Sequence, residues 1–545
     1  MPGREATTAV SLPSRIRWGR SIALGRSKLC AEGMALVAAE ARGITRWAFR
    51  RVRLVVFFAS ALGAVALAPT TALAGVPATP IPQNPSDVEA VPAFVGAPAK
   101  ARKVRAPVVP QHPFMAPNGR SNLHDDAYQT NTYTWSGPLG DSMETLSTFQ
   151  SADCASLTVD SAGRLVTICV GLEGPRLVMF DPRTLEELAV MNLPPRRPGT
   201  GNPFTDFSGG GYFYLDNNDR AVISTTTNEI WIVGETTGPG GPEFALQRQY
   251  DLTSAMSAED KIISALPDWS GRIWFATTEG VVGTVDPASG AIKTIDLKEA
   301  NGNSFSVDKT GGVFIVTDAA LYRFDAAPDG TPHVTWREVY ANTGEVKPGQ
   351  TEHGSGTTPN LMGGSYVAIT DNADRMDVDV YRRAKRVSGS RLVCTVPVFE
   401  AGAGSTDNSL IGTDRSIIVE NNFGYTGPLS TENGATTAPG IDRIDINPKG
   451  AGCTHVWHSE QRAPSAVPKM SLANGLVYAY TKPAREDEVD AWYLTTISFR
   501  TGQTVYERLA GTGLGYNSNY APVSIGPDGT AYVGALGGLI ALRDG

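Results

Sequence analysis

Residues 526–542 read Gly-Pro-Asp-Gly-Thr-Ala-Tyr-Val-Gly-Ala-Leu-Gly-Gly-Leu-Ile-Ala-Leu. A turn containing Asp528 and Gly529 leads into a strand-length apolar run, Ala531 to Ala535. Asp caps its own backbone and Gly accepts positive φ, so this is a hairpin signal with a physical cause. Seven similar pairs lie upstream. Their turns are Asp-Ser-Ala-Gly at 160–163, Asp-Asn-Asn-Asp at 216–219, Asp-Trp-Ser-Gly at 268–271, Asp-Lys-Thr-Gly at 308–311, Met-Gly-Gly-Ser at 362–365, Gly-Thr-Asp-Arg at 412–415 and Leu-Ala-Asn-Gly at 472–475. The runs that follow are 165–170, 221–225, 273–277, 313–317, 366–370, 417–420 and 477–481. Successive turns start 56, 52, 40, 54, 50, 60 and 54 residues apart, which suits one four-stranded blade plus its loops.

These runs are continuously apolar, as expected where neighbouring blades cover both faces of a sheet, whereas a sandwich would alternate. Composition agrees: 58 Gly, 37 Pro and only 19% charged residues suit many short strands and turns. From Asn131 to Gly545 no window of a dozen residues free of Gly and Pro carries a helical apolar period. The fold expected is therefore all-β, a single β-propeller of about eight four-stranded blades over residues 126–545. A second marker is an acidic turn between third and fourth strands, at Asp181, Asp286, Asp325 and Asp445. The chain ends where the eighth repeat still lacks its fourth strand. The Thr-Tyr-Thr-Trp-Ser stretch at 132–136 resembles the other outer strands and is expected to supply it, removing two exposed sheet edges.

Residues 1–74 read as an export signal with an N-terminal extension. Arg50, Arg51 and Arg53 precede an apolar run from Leu54 to Ala68, and Ala72-Leu-Ala74 follows as a cleavage site. The run of 15 residues is short for a bilayer-spanning helix, so a membrane is expected to matter only if this segment stays uncleaved. Residues 75–125, rich in Pro and Ala, are read as an extended linker. Without residues 1–74 the chain has 36 basic and 52 acidic residues, a net charge of −16 that argues against a nucleic-acid partner. Four cysteines remain, consistent with a secreted or cell-envelope protein. Cys154 and Cys169 flank one hairpin and are expected to form a disulfide, provided a two-residue loop places them opposite one another. Pairing of Cys394 with Cys453 stays open.

The final repeat, together with Gly-Arg-Ile-Trp-Phe-Ala at 271–276 and Val-Asp-Pro-Ala-Ser-Gly at 285–290, resembles the PQQ-like repeat of the quinoprotein alcohol dehydrogenase-like superfamily. The resemblance implies a fold, and the superfamily contains both quinone-dependent dehydrogenases and cofactor-free envelope scaffolds. The regular Trp after the Thr-Gly turn and the adjacent Cys-Cys pair of the enzymes are missing from this sequence.

Alignment of the second strands places Thr278, Asp318, Asp371, Asn421, Lys482 and Leu536 at one step past the strand, toward the mouth of the central channel. Asn372, Asp374 and Asn422 add polar groups there, and His353 lies in a Gly-rich loop on the same face. The candidate ligand site is thus His353, Asp318, Asp371, Asn372, Asp374, Asn421, Asn422 and Lys482. Asp371, Asp374 and Asn421 are the candidate ligands of a divalent cation such as calcium, a hard ion that takes oxygen donors. His455 and His458, at i and i+3 on an outer strand, are expected to face opposite ways. Two readings follow: a monomeric binding module for a small molecule or envelope component, and a metal-dependent lactonase- or esterase-like hydrolase in which His353 acts as base. Whether the protein is an enzyme, and the catalytic residues of one, stay open at this level, with quinone-dependent dehydrogenation a third reading.

Overall fold

The computed structural model describes residues 77–172, 174–196 and 204–545. The export segment falls outside them. Eight antiparallel sheets form an eight-bladed β-propeller. The first blade runs Ala152–Val159, Leu165–Gly171, Gly174–Phe180 and Glu187–Asn192, from channel to rim. The second strands lie where the apolar runs placed them, with Ile273–Thr277, Tyr366–Thr370 and Ala531–Ala535 coinciding at both ends. All three are buried along most or all of their length.

Local chemistry explains the hairpins. The Asp216 Oδ1 accepts from the amides of Asn218 and Arg220 at 2.8 and 3.0 Å, and Asp268 and Asp308 repeat the arrangement. Asp181 and Asp286 cap the turns between third and fourth strands in the same way. Asp325 and Asp445 do not: each lies within a third strand and pairs with the arginine two residues earlier, Arg323 or Arg443, on the same face.

The eighth blade takes its outer strand from the N-terminal side of the ring, but the strand is Glu144–Phe149, which pairs with Gly538–Arg543, and not 132–136. Glu144–Phe149 is mostly exposed or half-buried, as outer strands are. Tyr133 is buried, and Trp135 donates to the Ile525 carbonyl at 3.0 Å. Thr132–Tyr133 instead pairs parallel with Lys469–Ser471, the innermost strand of the seventh blade. Asp544 clasps the closure, its carboxylate accepting from the amides of Leu139, Gly140 and Asp141 at 2.7 to 3.0 Å.

The segment read as a linker lies on the ring. Phe94–Gly96 adds a strand outside Thr504–Thr512, the Arg102 and Val104 amides donate to Asn474 and Leu472, and Ile81 is buried against Tyr516. Single apolar anchors and backbone hydrogen bonds hold it, so no periodic pattern marks it.

Residues 121–131 fill the channel, every one buried. Innermost strands present an unpaired edge, whose amides need acceptors. This plug supplies them in order: Leu215 donates to Ser121 O, Val307 to Ala127 O, Leu361 to Tyr128 O, Gly412 to Thr130 O and Met470 to Asn131 O, at 2.7 to 3.0 Å. Asp125, Gln129 and Asn131 take left-handed φ to make the tight course. The buried Lys469 ammonium binds Asp125 Oδ1 at 3.1 Å, Asn131 Oδ1 at 2.7 Å and the Leu123 carbonyl.

Both cysteine pairs lie at disulfide distance. Val159 faces Leu165, so the first hairpin is one residue longer than a two-residue loop. A bulge at Ala155 takes that residue back and sets Cys154 opposite Cys169, with Cα atoms 3.9 Å apart. Cys394 and Cys453 join the outer strands of the fifth and sixth blades, 5.9 Å apart at Cα.

Candidate functional site

The segments leading into the innermost strands are short and polar: Ser-Gly-Gly-Gly at 208–211, Ser-Thr-Asp-Asn-Ser at 405–409 and Asn-Ser-Asn-Tyr at 517–520. They ring the channel on the face where each fourth strand leads to the next blade, called the upper face. The plug does not reach that rim. It leaves a cavity of about 680 Å³ floored by Leu123 and His124 and walled by the first, second, sixth and eighth blades. Phe149, Leu172 and Phe204 stand exposed at its edge.

An aromatic wall runs down one side. The Tyr520 ring meets Phe207 edge to face at 5.4 Å and Tyr425 at 5.3 Å. The single Tyr425 hydroxyl proton is shared between Asn517 Oδ1 at 2.9 Å and Asn519 Oδ1 at 3.1 Å, and Asn517 Oδ1 accepts the Asn519 amide at 2.8 Å. These bonds hold Asn519 and Tyr520 at φ 38° and 71°. Left-handed backbone in a bulky aromatic residue costs of order 1–3 kcal/mol and clusters at functional sites.

Two carboxyls line the cavity with no cation beside them among the described residues. Asp153, on the innermost strand of the first blade, has Oδ2 3.5 Å from Asn519 Nδ2, while its buried Oδ1 has no partner. Burial pushes its pKa up to about 8. Asp407 accepts from Thr351 Oγ1 at 2.7 Å, and burial raises it to about 7 against that bond. Asp206 differs: burial raises it, but hydrogen bonds from Lys261 and Ser208 and the charge of Arg196 outweigh burial and hold it below the usual range. On the floor, burial lowers His124 to about 3, so the ring is neutral. Its Nδ1 lies 3.1 Å from Asn131 Oδ1 and its Nε2 3.2 Å from Ser409 Oγ.

The residues marked from the second-strand alignment do end on the upper face, but most are tied to their own loops. Asn421 accepts from Ser405 and Phe423 and donates to Ala403 and Pro439, which uses both lone pairs and both donors. Asn422 binds Thr406, Asp407, Glu420 and Ala463, and Asn372 Nδ2 has acceptors on Asn342, Glu345 and His353 within 3.0 Å for its two N–H groups, while its buried Oδ1 has no partner. Lys482 is buried on Asp490 and Ala435 O. Asp371 caps its loop through the Asp377 amide while its buried Oδ2 has no partner, and burial raises it to about 7. Lys347 supplies the positive charge near Asp371 and Asp374 and donates to Ala373 O. Among the described residues no three His, Cys, Asp or Glu side chains form a metal-holding group. His353 is exposed, its Nδ1 3.1 Å from Gly344 O, with half-buried Asp318 as its charged neighbour. His455 and His458 were expected on opposite faces. A bulge opposite Arg443 and Ile444 brings both to Asp442 Oδ1, at 3.3 and 2.6 Å.

Leu536, marked by the second-strand alignment, does line the cavity; most of its other residues were missed because they lie in or before first strands. Recurrence of small polar residues before each innermost strand was the available signal.

No family model matches the chain. An uncharacterized protein of Archaeoglobus fulgidus is 29% identical over 367 residues, 61% of this chain and 70% of the relative. Among solved structures, the chain is similar to the WD40 domain of SCAP from fission yeast, at 13% identity and TM-score 0.41 over 73% of this chain and 97% of that one. A streptogramin B lyase matches at 10% identity and TM-score 0.35, over 74% and 97%. A protein from Bacteroides uniformis described as a 6-phosphogluconolactonase matches at 11% and 0.34, over 63% and 95%. At these identities the likeness is one of fold alone.

Proposed function

We propose that the protein is an exported, monomeric binding propeller that holds a small organic ligand in the upper-face cavity. The observation that carries this reading is the cavity itself, about 680 Å³, stopped below by the plug and edged by exposed Phe149, Leu172 and Phe204. Ligand sites of roughly 300–1,000 Å³ with apolar walls and a few convergent polar groups are the common form. Two disulfides and the reading of residues 1–74 support export. The metal-dependent hydrolase reading has less support, since Asn421 has no lone pair left for a cation. Kinship with the quinoprotein-like propellers rests on the repeat and brings no redox chemistry with it.

Ala155 lines the cavity, so Ala155→Trp places a large ring inside it and narrows it. Fragments bound by the wild type, detected by saturation-transfer NMR, are expected to lose binding in this variant while its melting curve stays cooperative. Fragments that bind both proteins alike, or none that binds the wild type, would refute the cavity as the site.

A further inference from the structure

We infer that the protein has a second ligand site, under residues 77–93, where the Arg508 guanidinium takes the carboxylate of a small organic acid. Residues 77–93 form a strap from the eighth blade to the seventh. The Phe149 amide donates to Thr79 O at 2.6 Å, the Ile81 amide to Ser147 Oγ at 3.0 Å and the Leu509 amide to Ala93 O at 3.0 Å. Between the strap and the outer strands Glu144–Phe149 and Thr504–Thr512 lies a cavity of about 520 Å³, with Pro77, Pro80, Val88 and Leu146 on its lining beside Arg508. It shares no lining residue with the upper-face cavity.

Arg508 is set apart from the other arginines by what its terminal nitrogens lack. Its Nε donates to Thr145 Oγ1 at 3.0 Å, which fixes the guanidinium. Neither Nη has an acceptor among the described residues, and both keep open surface. Every other buried or half-buried arginine among the described residues sets at least one Nη on a protein oxygen, a carboxylate for Arg164 and Arg443, a carbonyl for Arg415 and Arg462. Half-buried Glu186, the other charged residue on the lining, makes no ion pair with Arg508. Burial, with no counter-charge to offset it, lowers the Arg508 pKa from its usual value, and an arginine stays charged all the same.

A half-buried cation without a counter-ion is costly, and a carboxylate is the group that matches it. The planar guanidinium offers parallel N–H donors to two carboxylate oxygens, and charge-assisted bonds of this kind are the strong ones. One cation suits one negative charge, and Glu186 repels a second, which disfavours phosphate. An amide offers an oxygen without the charge, and an ammonium meets repulsion from Arg508. The prolines, Val88 and Leu146 give the acid an apolar body to lie against.

The test is calorimetry on the full chain with 3-phenylpropanoate, 3-phenylpropanamide and inorganic phosphate. The acid is expected to bind the wild type, and Arg508→Gln to weaken it about tenfold, the measure of one charged contact worth about 1.4 kcal/mol, while the amide stays within about twofold. Ala78→Trp narrows the strap cavity with the guanidinium intact and should weaken the acid as well, so the site stays testable if Arg508→Gln does not fold. Bound acid should slow hydrogen exchange of the Ile81 and Leu509 amides, which tie the strap down. Ala155→Trp lies in the other cavity and should leave acid binding within about twofold. Acid binding that survives Arg508→Gln or Ala78→Trp unchanged, phosphate that binds as tightly as the acid, unaltered exchange at Ile81 and Leu509, or no acid binding to about 10 mM would each overturn the assignment. Loss of acid binding in Ala155→Trp would overturn it too, by moving the acid to the upper face. Uncharged fragments report on the upper cavity and the acid on this one, so either reading fails without the other.

Discussion

Asp153→Asn replaces a carboxyl by an amide of the same shape, and its effect on stability can be worked out from the site. In the folded protein the carboxyl titrates near 8 instead of 3.8, because burial penalises its charged form. A folded-state pKa above the unfolded one means the contribution to stability is complete below about pH 4 and is lost as pH rises to about 8. At about 1.4 kcal/mol per unit, the three units between pH 4 and 7 amount to at most about 4 kcal/mol. Access of water through the cavity mouth lowers this, and about 2 kcal/mol is the working figure. The variant never carries the charge, so it should match the wild type at pH 4 and exceed it by about 2 kcal/mol at pH 7. For a folded unit of roughly 450 residues, at about 2.1 cal/mol/K each, that raises Tm by about 2 °C. Thermal melts of both proteins from pH 4 to 8 are the assay. A variant curve parallel to the wild type across that range, or lower at pH 7, would refute the assignment of Asp153 as an uncompensated buried carboxyl.

Asp126, Asp371, Asp407 and Glu420 are raised by burial in the same direction, so the wild type should be more stable near pH 5 than near pH 8 by equilibrium unfolding. Lys469→Ala strips the plug of its buried ammonium and leaves Asp125 unpaired, with an expected loss of about 3–5 kcal/mol in urea unfolding. Asp544→Ala frees three amides at the ring closure and should cost about 1–3 kcal/mol, seen also as faster exchange of the Leu139 to Asp141 amides. Replacing Cys394 and Cys453 by Ser opens a 59-residue loop and should cost more than removing the 15-residue Cys154–Cys169 link, about 4 against about 3 kcal/mol in the loop-entropy treatment.

What the sequence made legible in this molecule is what local chemistry decides. An Asp that accepts amides two and four residues on needs no distant partner, and so 216, 268 and 308 mark their hairpins wherever the chain goes. The apolar second strands are equally local, since burial on both faces is written in their own composition. The plug is the opposite case. Residues 121–131 bond to strands up to some 340 positions away through their carbonyls, a group every residue carries, so nothing in Ser-Asn-Leu-His-Asp-Asp distinguishes a channel filler from a polar loop. Closure failed for a related reason: Thr-Tyr-Thr-Trp-Ser has the alternation of an outer strand, but Tyr133 is buried and Trp135 half-buried against the core of the seventh and eighth blades, and that packing wins over a half-exposed rim. The histidines turned on one bulge, which no periodicity rule anticipates.

The cavity follows from the same division. Positions just past second strands looked like a site because Asp and Asn gather there, and the structure shows why: at those turns the side chains tie neighbouring loops together, as Asn421 does with all four of its hydrogen-bonding capacities. A residue so used is satisfied, and a satisfied residue has nothing left to offer a ligand. Asp153, on an innermost strand, has one buried oxygen unmatched, and so have Asp318, Asp371 and Asn372 among the positions past second strands. Retaining the Asp153 carboxyl costs stability at neutral pH, and an amide of the same shape would not.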